Sequence, residues 1–137
     1  MTGYFDFPHR VTYAETDKMG FVYYANYLVL FEIGRTELIR ATGRTYLELE
    51  DAGFNLPVVE AVCRYKKPGR YDDLLTIRTR VTEFKGIRLN FEYEIVRDGD
   101  VIAEGTTSHA FVDSYGRPRK LTPDMKGFIS SLAGPAD

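Results

Sequence analysis

Cysteine and histidine are scarce in this sequence, and their scarcity narrows the chemistry that the chain can perform. The 137 residues include one cysteine, Cys63, so no internal disulfide can form. Such usage is typical of a reducing, cytoplasmic compartment. The two histidines, His9 and His109, are too few for a histidine-rich zinc site. We therefore expect a protein that holds neither a metal ion nor a bound cofactor.

Long apolar runs and an excess of positive charge are also lacking. No apolar run approaches the roughly 18 residues that a membrane span requires, and the N-terminal "MTGYFDFPHR" lacks the apolar segment of a signal peptide. The net charge of -2 argues against a general nucleic-acid partner. No linker or internal repeat divides the chain. The sequence thus predicts one cytoplasmic domain, residues 1–137, with no nucleic-acid partner and no membrane span.

Several familiar catalytic motifs are missing as well. The chain has no G-x-S-x-G nucleophile elbow, no G-x-x-x-x-G-K phosphate loop and no H-E-x-x-H zinc motif. Cys63 lies within an apolar run that is typical of a strand. We interpret it as a buried, inert thiol rather than as a nucleophile. The acidic side chains remain as the candidates for catalysis.

The first half of the chain predicts a strand and then a long helix. Residues 9–16 alternate apolar side chains at Val11 and Tyr13, which favours a strand. Residues 24–41 are apolar over much of a helical circumference, so this helix is expected to be wrapped by other elements rather than laid on a surface. Thr45 and Glu48 have the spacing of a capping box, which indicates a short helix that ends near Gly53.

The second half of the chain is dominated by alternation with a period of two residues. The predicted strands are 56–68, 74–84, 88–96 and 101–113. The "RDGD" segment at 97–100 predicts a tight hairpin turn, and Gly105 is a candidate β-bulge because the alternation loses phase there. A C-terminal helix is predicted at 123–132. This order predicts an α+β fold, with a largely antiparallel sheet curled around the long helix and with edges that invite a second subunit.

One acidic residue stands where it could perform chemistry. In "ETDKMGFVYYANY" (15–27), Asp17 precedes Gly20 and the start of the long helix by a few residues. Unpaired N–H groups at a helix N-terminus can hold a developing oxyanion. A carboxylate that faces them is the minimum equipment for hydrolysing an activated acyl group. The alternative is that Glu15 and Asp17 only complement the helix dipole.

The segment "YAETDKMGFVYYANY" (13–27) resembles the signature of hotdog-fold acyl-CoA thioesterases in the 4-hydroxybenzoyl-CoA thioesterase and YbgC-like family. The resemblance continues through "FEIGRTE" (31–37), "YKKPGRYDD" (65–73) and "FVDSYGRP" (111–118), and so spans nearly the whole chain. It implies the hotdog fold and an acyl-CoA or acyl-carrier-protein thioester as substrate. It also implies a homodimer or homotetramer with coenzyme A at the subunit boundaries.

The resemblance also implies roles for individual residues. The family's acid falls on Asp17, as a nucleophile or as a general base on water, and the polarising backbone amide falls on Tyr24. Many members carry histidine at this second position; the backbone role survives the change to tyrosine, whereas a side-chain acid/base role does not. Another hotdog branch carries its acid on the helix, eight residues after the amide, where this chain has Glu32. The alternative is a structural acid that pairs with Arg35 or with a neighbouring subunit.

Basic and aromatic residues could bind the two ends of such a substrate. Lys67 and Arg88 are the candidates for the phosphates of coenzyme A, which is part of the substrate and not a cofactor. The alternative is that they are solvated charges in turns. Three aromatic residues could line an acyl pocket or instead pack in the core or at an interface: Tyr13, Phe21 and Tyr23.

A thioester suits a site that lacks histidine. An alkyl thiol has a pKa of about 8.5, so the thiolate can leave near neutral pH without a dedicated general acid. One alternative function is a non-catalytic module that binds acyl-CoA or an acyl-carrier protein. Another is a hotdog hydratase or dehydratase, which usually employs a histidine near the helix, and neither His9 nor His109 lies in that segment. The fold alone does not decide between these functions.

Overall fold

The computed structural model describes residues 3–133 and contains one sheet and three α-helices. The strands are β1 (Phe5–Arg10), β2 (Val58–Tyr65), β3 (Leu74–Lys85), β4 (Arg88–Arg97) and β5 (Asp100–Ala110). The helices are α1 (Asn26–Ala41), α2 (Tyr46–Asp51) and α3 (Pro123–Ser131). All the strand pairs are antiparallel, in the spatial order β1-β3-β4-β5-β2. The predicted α+β class is confirmed.

Helix α1 packs against one face of the sheet, where alternate residues of the central strands are buried. Phe31 of α1 stacks on Tyr93 of β4 with ring centroids 4.3 Å apart and an interplanar angle of 7°. Gly34 allows the helix to approach β3 closely, because a Cβ at this position would overlap Oγ1 of Thr79. The core therefore lies between the helix and the sheet, and this packing fixes the helix start relative to the strands.

The first strand was predicted at the wrong place. Strand β1 covers Phe5–Arg10, whereas Tyr13–Glu15 forms a short 3-10 helix. The Glu15 carboxylate accepts a hydrogen bond from the Thr12 backbone N–H at 2.7 Å, as in a capping box, and this arrangement stabilises the turn. Val11 is buried but Tyr13 is 78% exposed, so the alternation that favoured a strand did not reflect one buried face.

The predicted bulge at Gly105 is also wrong. Gly105 pairs regularly with Cys63 on β2 and with Tyr93 on β4. The register shift in the β4–β5 ladder lies nearer the hairpin, where Ile95 pairs with Ala103 and the following pair skips Ile102. Glycine is required at 105 by close packing, since a Cβ would overlap the Val62 carbonyl oxygen and lie 2.6 Å from the Phe31 ring.

The remaining boundaries agree closely with the predictions. Helix α1 begins at Asn26 instead of residue 24, and α2 is capped by Thr45, whose hydroxyl accepts the Glu48 N–H at 3.1 Å. The β4–β5 hairpin turns at Asp98 and Gly99, with φ angles of 50° and 83°. The predicted C-terminal helix is confirmed as α3.

Strand β2 forms one edge of the sheet and carries exposed apolar side chains. Val58, Val59 and Tyr65 are 46%, 69% and 50% exposed. Helix α1 also carries exposed apolar side chains, since Leu28 and Val29 are 41% and 46% exposed. In the single chain the sheet thus covers one side of α1 and leaves the other side open, and β2 has an unpaired edge.

None of the helices within residues 3–133 is long and apolar enough to cross a membrane.

Candidate active site

Asp17 lies in a tight loop that immobilises its carboxylate. The Asp17 N–H donates to the Phe21 carbonyl at 2.7 Å, and Oδ1 accepts the N–H groups of Met19 at 2.9 Å and Phe21 at 3.1 Å. Gly20 has a φ of +80°, which glycine adopts without strain. No donor within residues 3–133 binds the second carboxylate oxygen, Oδ2. One oxygen therefore orients the side chain, while the other remains available to a substrate.

The Tyr24 amide lies in the turn that leads into α1. The Tyr23 carbonyl accepts the Asn26 N–H at 2.8 Å. In a trans peptide the C=O and N–H groups point in opposite directions, so this bond directs the Tyr24 N–H away from the helix body. Neither the Tyr24 N–H nor the Ala25 N–H donates to an acceptor in the described part of the chain. The start of α1 thus presents unpaired donors, as the sequence predicted.

Asp17 and Tyr24 line the same cavity, which has a volume of about 300 Å³. Its remaining walls come from the loop and helix start and from the end of β2: Phe21, Val22, Tyr27, Tyr65, Lys66, Lys67 and Pro68. Three of the five predicted site residues, namely Asp17, Tyr24 and Lys67, are therefore brought together by the fold of a single chain.

Two tyrosines that the sequence analysis did not assign to the site hold these walls together. The Tyr65 hydroxyl donates to the Tyr24 carbonyl at 3.1 Å, and the Tyr27 hydroxyl accepts the Gly69 N–H at 3.1 Å. Burial raises the pKa of Tyr65 to about 12, with a further contribution from a hydrogen bond to Cys63, so its hydroxyl stays protonated and able to donate. The available signal for Tyr65 was its place at a strand end, directly before "KKPG".

The two lysines that line the cavity are already paired with acids. Lys67 Nζ lies 3.2 Å from Asp100, and Lys66 Nζ lies 3.3 Å from Glu104. Both lysine side chains are about half exposed, at 55% for Lys67 and 49% for Lys66. Exposed pairs of this kind contribute little to stability, on the order of 0–1 kcal/mol, so an anionic ligand could recruit either lysine at small cost.

Glu32 and Arg88 lie apart from Asp17 in the single chain. Glu32 lines a second cavity of about 250 Å³, together with Arg35, whose guanidinium donates to the Tyr93 hydroxyl at 3.4 Å. Arg88 lines a recess beside Val59, near the opposite end of β2 from the Asp17 cavity. Glu32 and Arg88 thus line cavities other than the one that contains Asp17.

The three predicted acyl-pocket aromatics are divided between different surroundings. Phe21 lines the Asp17 cavity, and the Arg70 guanidinium lies 4.7 Å from its ring centroid. Tyr23 is 45% exposed and packs against the Tyr24 ring. Tyr13 is exposed and contacts Tyr71, with ring centroids 5.5 Å apart. Only the phenylalanine is placed to touch a group bound beside Asp17.

The remaining reactive side chains lie outside this cavity. Cys63 is half buried, and burial raises the pKa of its thiol, in keeping with its interpretation as inert. His109 is buried and bonded to Thr107 and to the Leu56 carbonyl. Within residues 3–133, no group of three or more potential metal-ligating side chains comes together. The arrangement of an anionic oxygen and unpaired N–H donors in one cavity suits attack on a carbonyl carbon.

The chain is similar to known thioesterases over most of its length. The Thioesterase-like superfamily matches residues 11–129. YneP of Bacillus subtilis (strain 168) is 40% identical over 120 residues, which cover 84% of this chain and 87% of that protein. The acyl-CoA thioesterase YbgC of Haemophilus influenzae is 39% identical over 113 residues, covering 80% of this chain and 81% of the relative.

Solved structures support the same assignment. The DHNA-CoA thioesterase of Staphylococcus aureus superimposes with a TM-score of 0.88 at 30% identity, covering 94% of this chain and 90% of that one. The hotdog fold implied by the sequence resemblance is thereby confirmed. The chain belongs to the Thioesterase-like superfamily, within its YbgC-like branch of hotdog acyl-CoA thioesterases, and is a thioester hydrolase.

Proposed function

We propose that the chain hydrolyses acyl-CoA thioesters in the cavity that Asp17 and Tyr24 share. The proposal depends on one observation. Asp17 and Tyr24 line this cavity together, and neither Oδ2 of Asp17 nor the N–H of Tyr24 is hydrogen-bonded to another described residue. If a thioester carbonyl group lay between them, the Tyr24 N–H could donate to its oxygen and the Asp17 carboxylate could act at its carbon.

In the proposed reaction the Tyr24 N–H donates to the carbonyl oxygen and stabilises the charge that develops there. Asp17 attacks the carbonyl carbon, the C–S bond breaks, and the thiolate of coenzyme A leaves, which forms a mixed anhydride that water then hydrolyses. Alternatively, Asp17 removes a proton from the water that attacks. Both routes release the free acid and the thiol. Both also need the Asp17 carboxylate next to the face of the carbonyl group that is attacked.

The thiol product explains why two groups suffice. A thiol of pKa about 8.5 leaves as the thiolate near neutral pH, so no histidine is needed to protonate it. Loss of one oxyanion donor in other hydrolases costs about 10²–10³-fold in rate. The Tyr24 N–H is therefore expected to supply a large share of the acceleration, and Asp17 a larger one.

We further propose that two copies pair through β2 and share the coenzyme A site, as a homodimer or within a homotetramer. Around a two-fold axis, antiparallel pairing places the Val58 end of one β2 strand beside the Tyr65 end of the other. Lys67 of one chain would then lie on the same side as Arg88 of the second copy. The exposed apolar edge supports this pairing.

The activity is tested by measuring thiol release from a panel of acyl-CoA thioesters with a thiol-reactive chromophore. The panel should include short aliphatic, long-chain and aromatic acyl groups, each also attached to an acyl-carrier protein. We expect catalytic release from at least one CoA thioester. Saturable binding without release across the panel would contradict hydrolysis and would favour the non-catalytic binding module.

The pairing is tested with Val59→Lys, which places a charge on the exposed edge next to the β2 register shift. The variant is expected to run as a 15.7 kDa monomer in light scattering. The matched control is Leu47→Lys on α2, which is similarly exposed at 64% and should leave the mass unchanged. A monomeric wild type with full activity would contradict the shared site.

A further inference from the structure

Glu15 connects the end of β1 to the segment that carries Asp17. Its carboxylate accepts hydrogen bonds from His9 Nε2 at 2.9 Å and from the Thr12 N–H at 2.7 Å. The His9–Glu15 pair is only about 20% exposed, so it is partly shielded from water. The Glu15 carboxylate therefore anchors the chain, two residues before Asp17, to His9 of strand β1.

The carbonyl oxygen of Glu15 makes further contacts, because it accepts one hydrogen bond from the turn that leads into α1 and another from the first residue of α1. The Tyr23 N–H donates to it at 2.8 Å, and the side-chain amide of Asn26 donates at 2.9 Å. Asn26 is the first residue of α1 and follows Tyr24 by two positions. One backbone oxygen thus joins the segment that leads to Asp17 with the segment that presents the Tyr24 N–H.

We propose that Asn26 is a positioning residue for hydrolysis, whose side-chain amide sets the distance between the Asp17 carboxylate and the Tyr24 N–H. The inference rests on the proposed function of these two groups. The loop from Asp17 to Phe21 is closed by its own hydrogen bonds and by the Thr16–Val22 bridge, so it moves as a unit. The Glu15–Asn26 bond then decides where that unit lies relative to the helix start.

The spacing matters because a reacting carbonyl must fit between both groups at once. A misplacement of about 1 Å can cost on the order of 10²-fold in rate. Without the Asn26 amide, the Tyr23 N–H is the one remaining direct bond from the helix start to Glu15 among the described residues. The loop would then be held less firmly to the helix start, while Asp17 and Tyr24 themselves stay intact.

The test uses two substitutions with different effects on the helix. Asn26→Ala removes the donor. Asn26→Asp keeps the shape but offers only acceptors, and a carboxylate at the first helical residue favours the helix dipole, so α1 is not weakened. We expect each variant to lower kcat by about 10-fold or more, with KM changed by less than about 2-fold. The Tm of Asn26→Asp is expected to differ from that of Asn26→Ala, because the helix-dipole effect opposes the loss of the bond to Glu15 in the first variant only.

The matched controls are Asn55→Ala and Asn55→Asp, because the backbone of Asn55 pairs with Val112 and its side chain lies away from the cavity. Both should keep wild-type kcat. Wild-type kcat in the Asn26 variants would overturn the inference. A fall in kcat that is proportional to the fall in Tm across the two variants would also overturn it, because a loss of stability would then explain the loss of activity. Failure of the proposed function is distinguishable, since the wild type would then release no thiol.

Discussion

The Tyr65 hydroxyl donates a 3.1 Å hydrogen bond to the Tyr24 carbonyl oxygen, and this bond joins the end of the edge strand β2 to the start of α1. The carbonyl belongs to the peptide unit that also carries the Ala25 N–H and also accepts the Tyr27 N–H at 3.3 Å, so the two bonds together orient a second unpaired donor. A displacement of the β2 end, for example on pairing with a second copy, is therefore expected to change the orientation of this donor.

Removal of this hydroxyl should weaken catalysis more than folding. Tyr65→Phe keeps the ring, which lies 5.3 Å from the Tyr27 ring, but removes one of the two donors to the Tyr24 carbonyl within residues 3–133 and leaves only the Tyr27 N–H at 3.3 Å. We expect kcat to fall by about 2- to 10-fold, which corresponds to the net worth of one hydrogen bond, about 0.5–1.5 kcal/mol. Steady-state thiol release measures it. Tyr71→Phe, on an exposed ring outside the cavity, is the control, and equal kcat in the two variants would contradict the role of Tyr65.

Lys67 should recognise the nucleotide part of the substrate and not the acyl group. Lys67→Ala is expected to raise KM for an acyl-CoA several-fold, because one charge-assisted contact to phosphate is lost, and to leave kcat nearly unchanged. The same acyl group on N-acetylcysteamine, which carries no phosphate, should show no change in KM. Arg88→Ala should behave alike if two copies share the site. An equal rise in KM for both substrates would contradict phosphate recognition.

Close packing of α1 on β3 makes Gly34 intolerant of a side chain. Gly34→Ala forces a methyl group against Oγ1 of Thr79 and Cγ2 of Ile77, and overpacking of this kind costs about 1–3 kcal/mol. Gly127→Ala is the matched control within α3, where the added Cβ meets no atom within 4 Å and should stabilise the helix by about 0.5–1 kcal/mol. Urea denaturation measures both, and a stable Gly34→Ala variant would contradict the packing described.

The buried His109 should make the fold sensitive to acid. Burial, and then the charge of Arg35, lower the pKa of His109 from 6.5 to about 4. The unfolded chain therefore binds a proton before the folded one does. The contribution of His109 to stability is complete above pH 6.5 and is lost as the pH falls from 6.5 towards 4. The loss by pH 4.5 is roughly 2–3 kcal/mol relative to neutral pH.

Unfolding free energies at pH 7 and pH 4.5 test this dependence. His109→Gln keeps a polar side chain that does not titrate, so its stability should fall less than that of the wild type over the same interval. The side chain bonds to Thr107 at 2.7 Å, and the variant is therefore expected to be less stable than the wild type at pH 7. Parallel losses of stability in both proteins would show that His109 does not cause the sensitivity.

Local patterns indicated the candidate catalytic segment because its parts are close in sequence. Asp17, Gly20 and the helix start lie within ten residues of one another, and their spacing is visible in the chain. The sequence also contained a signal against a strand at 9–16. Thr12 and Glu15 have the same capping-box spacing as Thr45 and Glu48, which correctly predicted α2. Where the two patterns overlapped, the capping interaction outweighed the alternation.

Contacts between distant segments were beyond such patterns. Tyr65 meets Tyr24 across 41 residues, and no periodicity in either segment encodes the pairing of a strand end with a helix start. The separation of Glu32 and Arg88 from Asp17 has the same origin, because it depends on the strand order and on how a second copy pairs with β2. Their predicted roles stay predictions that activity measurements must decide.

Asp17→Asn tests the central claim most directly, because an asparagine oxygen can still accept the Met19 and Phe21 N–H groups and thus preserve the loop. Single-turnover thiol release from a good acyl-CoA substrate should fall by about 10³-fold or more, with Tm unchanged, as expected when an essential nucleophile or base is lost. Glu32→Gln should keep most of the activity. Release at the wild-type rate by Asp17→Asn, together with its loss in Glu32→Gln, would contradict the account and assign the attack to the helix acid.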